Sequence, residues 1–475
     1  MDVEFGTDGW RTTVEEFTTP RVRAVGQAVA DHVLAADDAA DAPAVAVGYD
    51  PREESRPAAE ELARVLRGNG VDALVADRDT PTPVVAWTVV DRGLAGALQV
   101  TASHNPPSYN GIKFVPDDGA PASAAVTDRL AEALRPPDPR PEPEWGSITE
   151  ADFREPYLEA ALAFVDADLD GLRVAYDAMY GSGRGVTDDL LSRAGADVRC
   201  LRAERDPAFG GTPPEPSAGH LAALTDRVAD DEAALGVAND GDADRLGVVT
   251  PERGVVDPNW VYAALYDYLL ETGGRHDGRG DPASAAGDAV RTVSTTFLVD
   301  RIAAAHGQAV HETPVGFKWV AEAMATHDAL VGGEESGGYG VAGHLRNKDG
   351  VLVALLVAAA HAAEPLDDRL DRLRDRHGDI VQERVSVDCP DARKPAVVEA
   401  LGDRIPDQVA GTAVEDVGTA DGFKLLLADG TWLLVRPSGT EPKLRVYAEA
   451  GSAARLEELL DAGRALVEPL VDASV

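Results

Sequence analysis

Val100-Thr101-Ala102-Ser103-His104-Asn105-Pro106-Pro107-Ser108-Tyr109-Asn110-Gly111-Ile112-Lys113-Phe114 is the stretch on which the reading of the fold turns. Leu94-Ala95-Gly96-Ala97-Leu98-Gln99-Val100 leads into it, an apolar run that reads as a buried strand. The run stops at small polar residues and Pro106-Pro107, where a fixed φ and a missing donor end both helix and ladder. Ser103 therefore lies on a stiff loop at the carboxyl end of a strand, where open α/β sheets carry their chemistry. His104 is its neighbour and Lys113 follows, so a phosphoryl group carried on the hydroxyl would have cationic groups beside it. Two other readings stand next to this one: a plain surface turn, since Ser, Asn and Pro are turn residues, and a Ser-His hydrolase. The hydrolase fits poorly. There is no Gly-x-Ser-x-Gly elbow, and side chains adjacent in sequence do not face one another as nucleophile and base.

Upstream, a helical pattern over 19–34 starts with Pro20, as helices prefer. An apolar run, 44–49, ends in Asp50-Pro51-Arg52, and 58–70 reads as a helix closed by glycine. Strand, helix, strand and then the Ser103 loop make an α/β pattern. The plan recurs downstream. Residues 172–177 and 234–239 are strands, the second running into Asp240, with Thr187 as cap of a helix to 194. Residues 289–295 and 330–333 form a third copy that ends at Glu334. A Pro-rich stretch, 135–143, leads out of the first copy, and 271–287, rich in Gly and Asp, reads as a mobile surface loop. The C-terminal part differs: 423–428 and 431–435 flank Asp429-Gly430, a strong hairpin signal. The fold expected is three related α/β domains with mixed sheets plus a C-terminal antiparallel α+β domain around a central cleft. The domains fall at 1–151, 152–257, 258–372 and 373–475.

Four more constellations carry chemistry. Phe5-Gly6-Thr7-Asp8-Gly9-Trp10-Arg11 is a tight turn that presents the Arg11 fork to an anion. Asp240-Gly241-Asp242-Ala243-Asp244-Arg245 puts alternate carboxylates on a strand-end loop, a donor set for a hard divalent cation. A calcium loop of the helix-loop-helix type needs glycine at its sixth position and glutamate at its twelfth, where Arg245 and Pro251 stand. Gly333-Glu334-Glu335-Ser336-Gly337-Gly338 joins hydrogen-bonding groups for vicinal hydroxyls to glycines that allow close approach. Arg436-Pro437-Ser438-Gly439-Thr440 combines a guanidinium, hydroxyls and a glycine amide into a phosphate cradle. The plain alternatives are an exposed arginine on a turn, one more acidic cluster in an acidic chain, a flexible glycine loop and an inter-strand turn.

The 475 residues are too many for one core, and a hydrophobic share of 44% excludes wholesale disorder. The formal net charge is -39; of 44 basic residues only six are lysine. Such an acidic, lysine-poor surface suits high salt, where the Debye length falls to about 3 Å at molar ionic strength. It argues against nucleic acid as a partner. Cys200 and Cys389 have no metal spacing, the N-terminal residues lack a signal core, and no apolar run is long enough for a membrane span. A cytoplasmic protein is expected, with a monomer or a dimer left open.

Thr101-Ala102-Ser103-His104-Asn105-Pro106 with Asn110-Gly111-Ile112-Lys113 resembles the phosphoserine loop of the α-D-phosphohexomutases, the phosphoglucomutase and phosphomannomutase family. The other four motifs resemble that family's in the same order, with Thr12 where the family often has glycine. The resemblance implies a phosphohexomutase that interconverts hexose 1-phosphate and hexose 6-phosphate through a phosphoserine and a bisphosphorylated sugar. It implies Ser103, His104, Lys113 and Arg11 as catalytic residues, and Mg2+ on Asp240, Asp242, Asp244 and Ser103. Arg245, Gly316, Lys318, Glu334, Ser336, Lys348, Arg436, Ser438, Gly439 and Thr440 would bind the sugar phosphate, with hexose 1,6-bisphosphate as activator. Glu335 resembles the glucose branch; phosphomannomutase, phosphoglucosamine mutase, a sugar-phosphate phosphatase and a non-catalytic binding protein remain as alternatives.

Overall fold

The computed structural model describes residues 3, 5–6, 9–36, 43–230, 232–273, 287–439 and 441–473. The Thr7-Asp8 turn, Thr440 and most of the surface loop expected over 271–287 lie outside the described residues.

Three mixed sheets and one antiparallel sheet account for the strands. In the first sheet, Ala44–Tyr49 runs parallel to both Asp72–Ala76 and Gly96–Val100, and Gly96–Val100 pairs antiparallel with Tyr109–Val115. In the second, Leu235–Asn239 runs parallel to Arg173–Asp177 and antiparallel to Leu246–Thr250. In the third, Val331–Gly333 runs parallel to Ala289–Thr292 and antiparallel to Tyr339–Val341. Each sheet thus passes from a parallel strand into an antiparallel neighbour through one short loop. Those three loops hold Ser103, Asp240 to Asp244, and Glu334 to Ser336. The repeated plan places three motifs far apart in sequence at one equivalent position.

The three strands that lead into these loops, Gly96–Val100, Leu235–Asn239 and Val331–Gly333, are buried along their length, as strands covered on both faces must be. A helix at Gly350–Ala363, apolar on every side, is buried from Gly350 through Ala360 and packs against helices Arg154–Val165, Thr187–Arg193 and Pro258–Glu271. Truncating Leu352, Leu355 or Leu356 there would cost about 2–5 kcal/mol each. Among the described residues no single helix is long and apolar enough to cross a membrane.

The fourth sheet, from Gln408–Val409 to Val381–Asp388, is antiparallel throughout and covered by helix Ala453–Ala473. Its Phe423–Leu427 and Trp432–Pro437 strands form the expected hairpin, with Gly430 at a left-handed φ of 78°. One local expectation fails. Thr187 does not cap its helix but lies inside the first turn, and its hydroxyl donates to Asn239 Oδ1 at 2.7 Å. At this fully buried position the side chain meets a tertiary partner, which outweighs its local capping preference.

Charge sorts by type. Lys113, Lys348, Lys394 and Lys424 are buried, Lys318 and Lys443 are half-covered, and none of the six lysines is exposed.

Candidate functional site

Ser103 leaves the end of Gly96–Val100 with φ 52°, a left-handed conformation that costs a non-glycine residue about 1–3 kcal/mol. Its amide donates to Thr101 Oγ1 at 2.8 Å. That backbone turns the hydroxyl out of the first domain, and Ser103 Oγ donates to Asp240 Oδ2 of the second at 2.7 Å. The approach needs Gly241, where a Cβ would sit 2.6 Å from the Ser103 carbonyl oxygen.

Asp240, Asp242 and Asp244 are buried, each offering an oxygen within 4.8 Å of the others. Burial, and then the neighbouring Asp242 and Asp244 carboxylates, push Asp240 well above the ordinary carboxyl range. Lys113 Nζ donates to Asp242 Oδ2 and Asp244 Oδ2, both at 2.9 Å, and Lys348 Nζ lies 2.9 Å from Asp244 Oδ2. Thr82 of the first domain adds a hydroxyl to Asp242 Oδ2 at 2.6 Å and an amide to its carbonyl at 2.9 Å. Asp242 Oδ1 is buried with no hydrogen-bond partner. Three hard oxygen donors converging around such an oxygen fit a divalent cation.

His104 Nδ1 is 3.3 Å from Ser103 Oγ. Arg245, then burial, then Arg11, hold its imidazole far below the usual range. Lys113, Lys348 and Arg245 supply positive charge around the aspartate loop. Arg11 itself donates to Asn105 Oδ1 at 3.0 Å on the Ser103 loop.

The sugar-type loop closes onto this group. Arg245 bridges to Gly338, and the Leu246 amide donates to Gly337 O at 2.9 Å. Glu334 accepts from the Gly316 amide at 3.1 Å and from Ser336 Oγ at 3.4 Å; burial raises its carboxyl to about 7. Glu335 accepts from Thr292 at 3.3 Å and Thr295 at 3.4 Å. Lys318 is set apart among the described contacts, its ammonium 5.3 Å from the Trp319 ring centroid.

Arg436 ends the strand Trp432–Pro437 of the fourth sheet, with Ser438 and Gly439 just after it, and a carboxylate links Arg436 to the third domain. Asp421 Oδ2 accepts Arg436 Nε at 2.8 Å and the Val315 amide, next to Gly316, at 3.2 Å. Lys394 Nζ holds the loop from below through Ser438 O at 2.6 Å and Glu441 O at 2.5 Å.

Thr82, Asp421 and Lys394 were not singled out in the sequence. Each is an ordinary polar residue in a Pro-rich, Gly-rich or helix-start context, and only the tertiary partner marks it.

Comparison with known proteins shows the family. Models of phosphoglucomutase/phosphomannomutase alpha/beta/alpha domains I, II and III match residues 2–139, 155–254 and 257–377, and that of the C-terminal domain matches 385–465. A probable phosphoglucosamine mutase of Methanopyrus kandleri is 33% identical over 468 residues, 97% of either chain. A phosphoglucomutase/phosphomannomutase of Thermococcus kodakarensis is 29% identical over 472 residues, 98% of either chain. The crystal structure of a phosphomannomutase-type protein of Thermus thermophilus superposes with a TM-score of 0.83 at 31% identity, over 98% of this chain and 99% of that one.

Proposed function

Because the chain belongs to the phosphoglucomutase/phosphomannomutase family, whose members are mutases that move a phosphoryl group within a sugar, we propose that it interconverts hexose 1-phosphate and hexose 6-phosphate with Ser103 as the carrier. The observation that carries this reading is the 2.7 Å contact of the Ser103 hydroxyl with Asp240 across two domains.

In the first half-reaction the bond from phosphorus to Ser103 Oγ breaks as one to the sugar hydroxyl oxygen forms. The hydroxyl proton needs a base. Lys113, His104 and Arg11 are the candidates; His104 Nδ1 is 3.3 Å from Ser103 Oγ, but the arginines around it and its burial oppose its taking up a proton. The bisphosphate then turns end for end, Ser103 recovers a phosphoryl group from the other position, and the proton returns to the sugar oxygen. Arg245, Lys113 and Lys348 offset charge on the transferred group, and a Mg2+ on Asp240, Asp242, Asp244 and the Ser103 phosphoryl would add to this when bound. Glu334 and Ser336 orient ring hydroxyls, while Arg436, Ser438, Gly439 and Thr440 hold the idle phosphate. A hexose 1,6-bisphosphate would re-phosphorylate Ser103 when it is lost.

Glucose is the sugar favoured by Glu335; a glucosamine phosphate is the second reading, favoured by the name of the Methanopyrus relative. Coupled assays with the 1-phosphates of glucose, mannose and glucosamine in molar KCl separate the two. Product analysis separates a mutase from a phosphatase, which would give free sugar and inorganic phosphate. Ser103→Ala abolishes turnover on this reading, and near-parent turnover in a folded variant refutes it. Cys200 and Cys389 are unbridged, which fits a reducing, cytoplasmic setting.

A further inference from the structure

The Asp50-Pro51-Arg52 corner, at the end of Ala44–Tyr49, has no part in the mechanism above, yet it lies directly under the Ser103 loop. Asp50 is wholly buried and Arg52 is 2% exposed. The Arg52 guanidinium uses all five of its N–H groups. Nε donates to Asp50 Oδ2 at 2.9 Å. Nη1 donates to Pro106 O at 2.7 Å and Tyr109 O at 3.0 Å, and Nη2 to Ser103 O and Asn105 O, both at 2.8 Å. Four carbonyls of one loop therefore converge on one planar cation. Asp50 completes the brace: Thr101 Oγ1 donates to it at 2.7 Å and accepts the Ser103 amide at 2.8 Å. Both peptide groups of Ser103 are thus tied to the same buried pair. The second domain covers it, with the Phe209 ring 4.8 Å from the guanidinium carbon and Arg205 donating to Pro51 O at 3.1 Å.

We propose that Arg52 is a positioning residue for phosphoryl transfer: anchored by Asp50, it fixes the carbonyls of the 103–109 loop and so holds Ser103 in the left-handed conformation that aims Oγ at Asp240. The inference rests on the reading of Ser103 as carrier. A left-handed non-glycine residue persists only where its surroundings over-determine it. Here that work falls to a group whose fork geometry no lysine reproduces. Among the described residues Arg52 touches none of the sugar-loop or phosphate-loop groups, so its loss should reach the chemical step and spare substrate binding.

The test is Arg52→Lys in the full chain, in molar KCl, with Arg52→Ala assayed with and without added guanidinium and Thr101→Val as a milder variant of the same brace. Melting curves establish which variants fold. The expected result for Arg52→Lys is a fall in kcat of about thirtyfold or more with KM within about threefold, since misplacing a reacting group by about 1 Å costs about a hundredfold. Guanidinium at tens of millimolar should restore about tenfold of the Arg52→Ala loss, and Thr101→Val should show the same split to a lesser degree. A folded Arg52→Lys with kcat within threefold of the parent overturns the proposal, as does a rise in KM at unchanged kcat. If neither Arg52 variant folds, an unchanged kcat in Thr101→Val overturns it. The two readings fail differently. A parent that turns over none of the three hexose 1-phosphates, or a Ser103→Ala variant that keeps turnover, removes the carrier reading and this one with it. An active parent, an inactive Ser103→Ala and a normal Arg52→Lys remove this one alone.

Discussion

Replacing Thr82 with Val should weaken divalent-cation binding without disturbing the fold. Thr82 opens the helix Thr82–Arg92, is 3% exposed, and gives Asp242 Oδ2 a hydroxyl hydrogen bond of 2.6 Å. The same oxygen takes Lys113 at 2.9 Å, so Oδ2 is committed to the protein and Oδ1 is presented to the ion. Valine keeps the shape of threonine and removes only the donor. A hydrogen bond to a charged group is worth about 1.5–3 kcal/mol. Lys113 still holds Oδ2, so the carboxylate is not stranded, but it gains freedom to rotate. Loss of an outer partner of a metal ligand typically costs about 10–100-fold in affinity. That is about 1.4–2.7 kcal/mol, within what one such bond supplies. Isothermal titration with Mg2+ in molar KCl, on protein whose melting temperature is measured in parallel, reads the effect directly. Thr82→Ser, which restores the hydroxyl, should recover most of it. A Mg2+ affinity within threefold of the parent, with only the melting temperature lowered, would show that Thr82 merely packs and would refute the reasoning.

Two further expectations concern the whole molecule. With a formal net charge of -39, the melting temperature should climb steadily between about 0.1 M and molar KCl, as the Debye length falls from about 10 Å to about 3 Å; a flat profile would remove the high-salt reading. Lys424, 2.8 Å from Glu312 and 4.2 Å from the Phe297 ring centroid, is held down at about 8 by burial and then Arg291, against about 10.4 for an unfolded lysine. Between those values the unfolded chain binds a proton that the folded one lacks, so this group's contribution to stability rises with pH from about 8 to about 10. Denaturation at several pH values should show that rise in the parent and not in Lys424→Met; parallel curves would contradict it.

The architecture was largely legible because it rests on local patterns. Apolar runs that stop at polar loops mark the parallel strands, and Asp429-Gly430 marks the hairpin. Ser103, the three aspartates and Glu334 could be found because strand-end loops are where such sheets carry chemistry. What the sequence hid is everything set by distant neighbours. Asp50 and Arg52 read as the tail of a strand, though Arg52 reaches carbonyls 51–57 positions away. Thr82 meets Asp242 across 160 residues. Thr187 looked like a cap and is a buried donor to Asn239 instead. The surroundings of His104 were equally hidden, because Arg245, which pushes its imidazole down, comes from another domain.

The distribution of lysine has a practical corollary. Reagents that acylate primary amines will find few lysines at the surface, because four of the six are buried, two of them braced against the aspartate loop, and Lys318 and Lys443 are half-covered. Random coupling to a resin or dye through lysine will therefore be inefficient, and Lys113 and Lys348, paired with the aspartates, will be the last to react. Amine chemistry on this protein therefore probes its interior more than its surface.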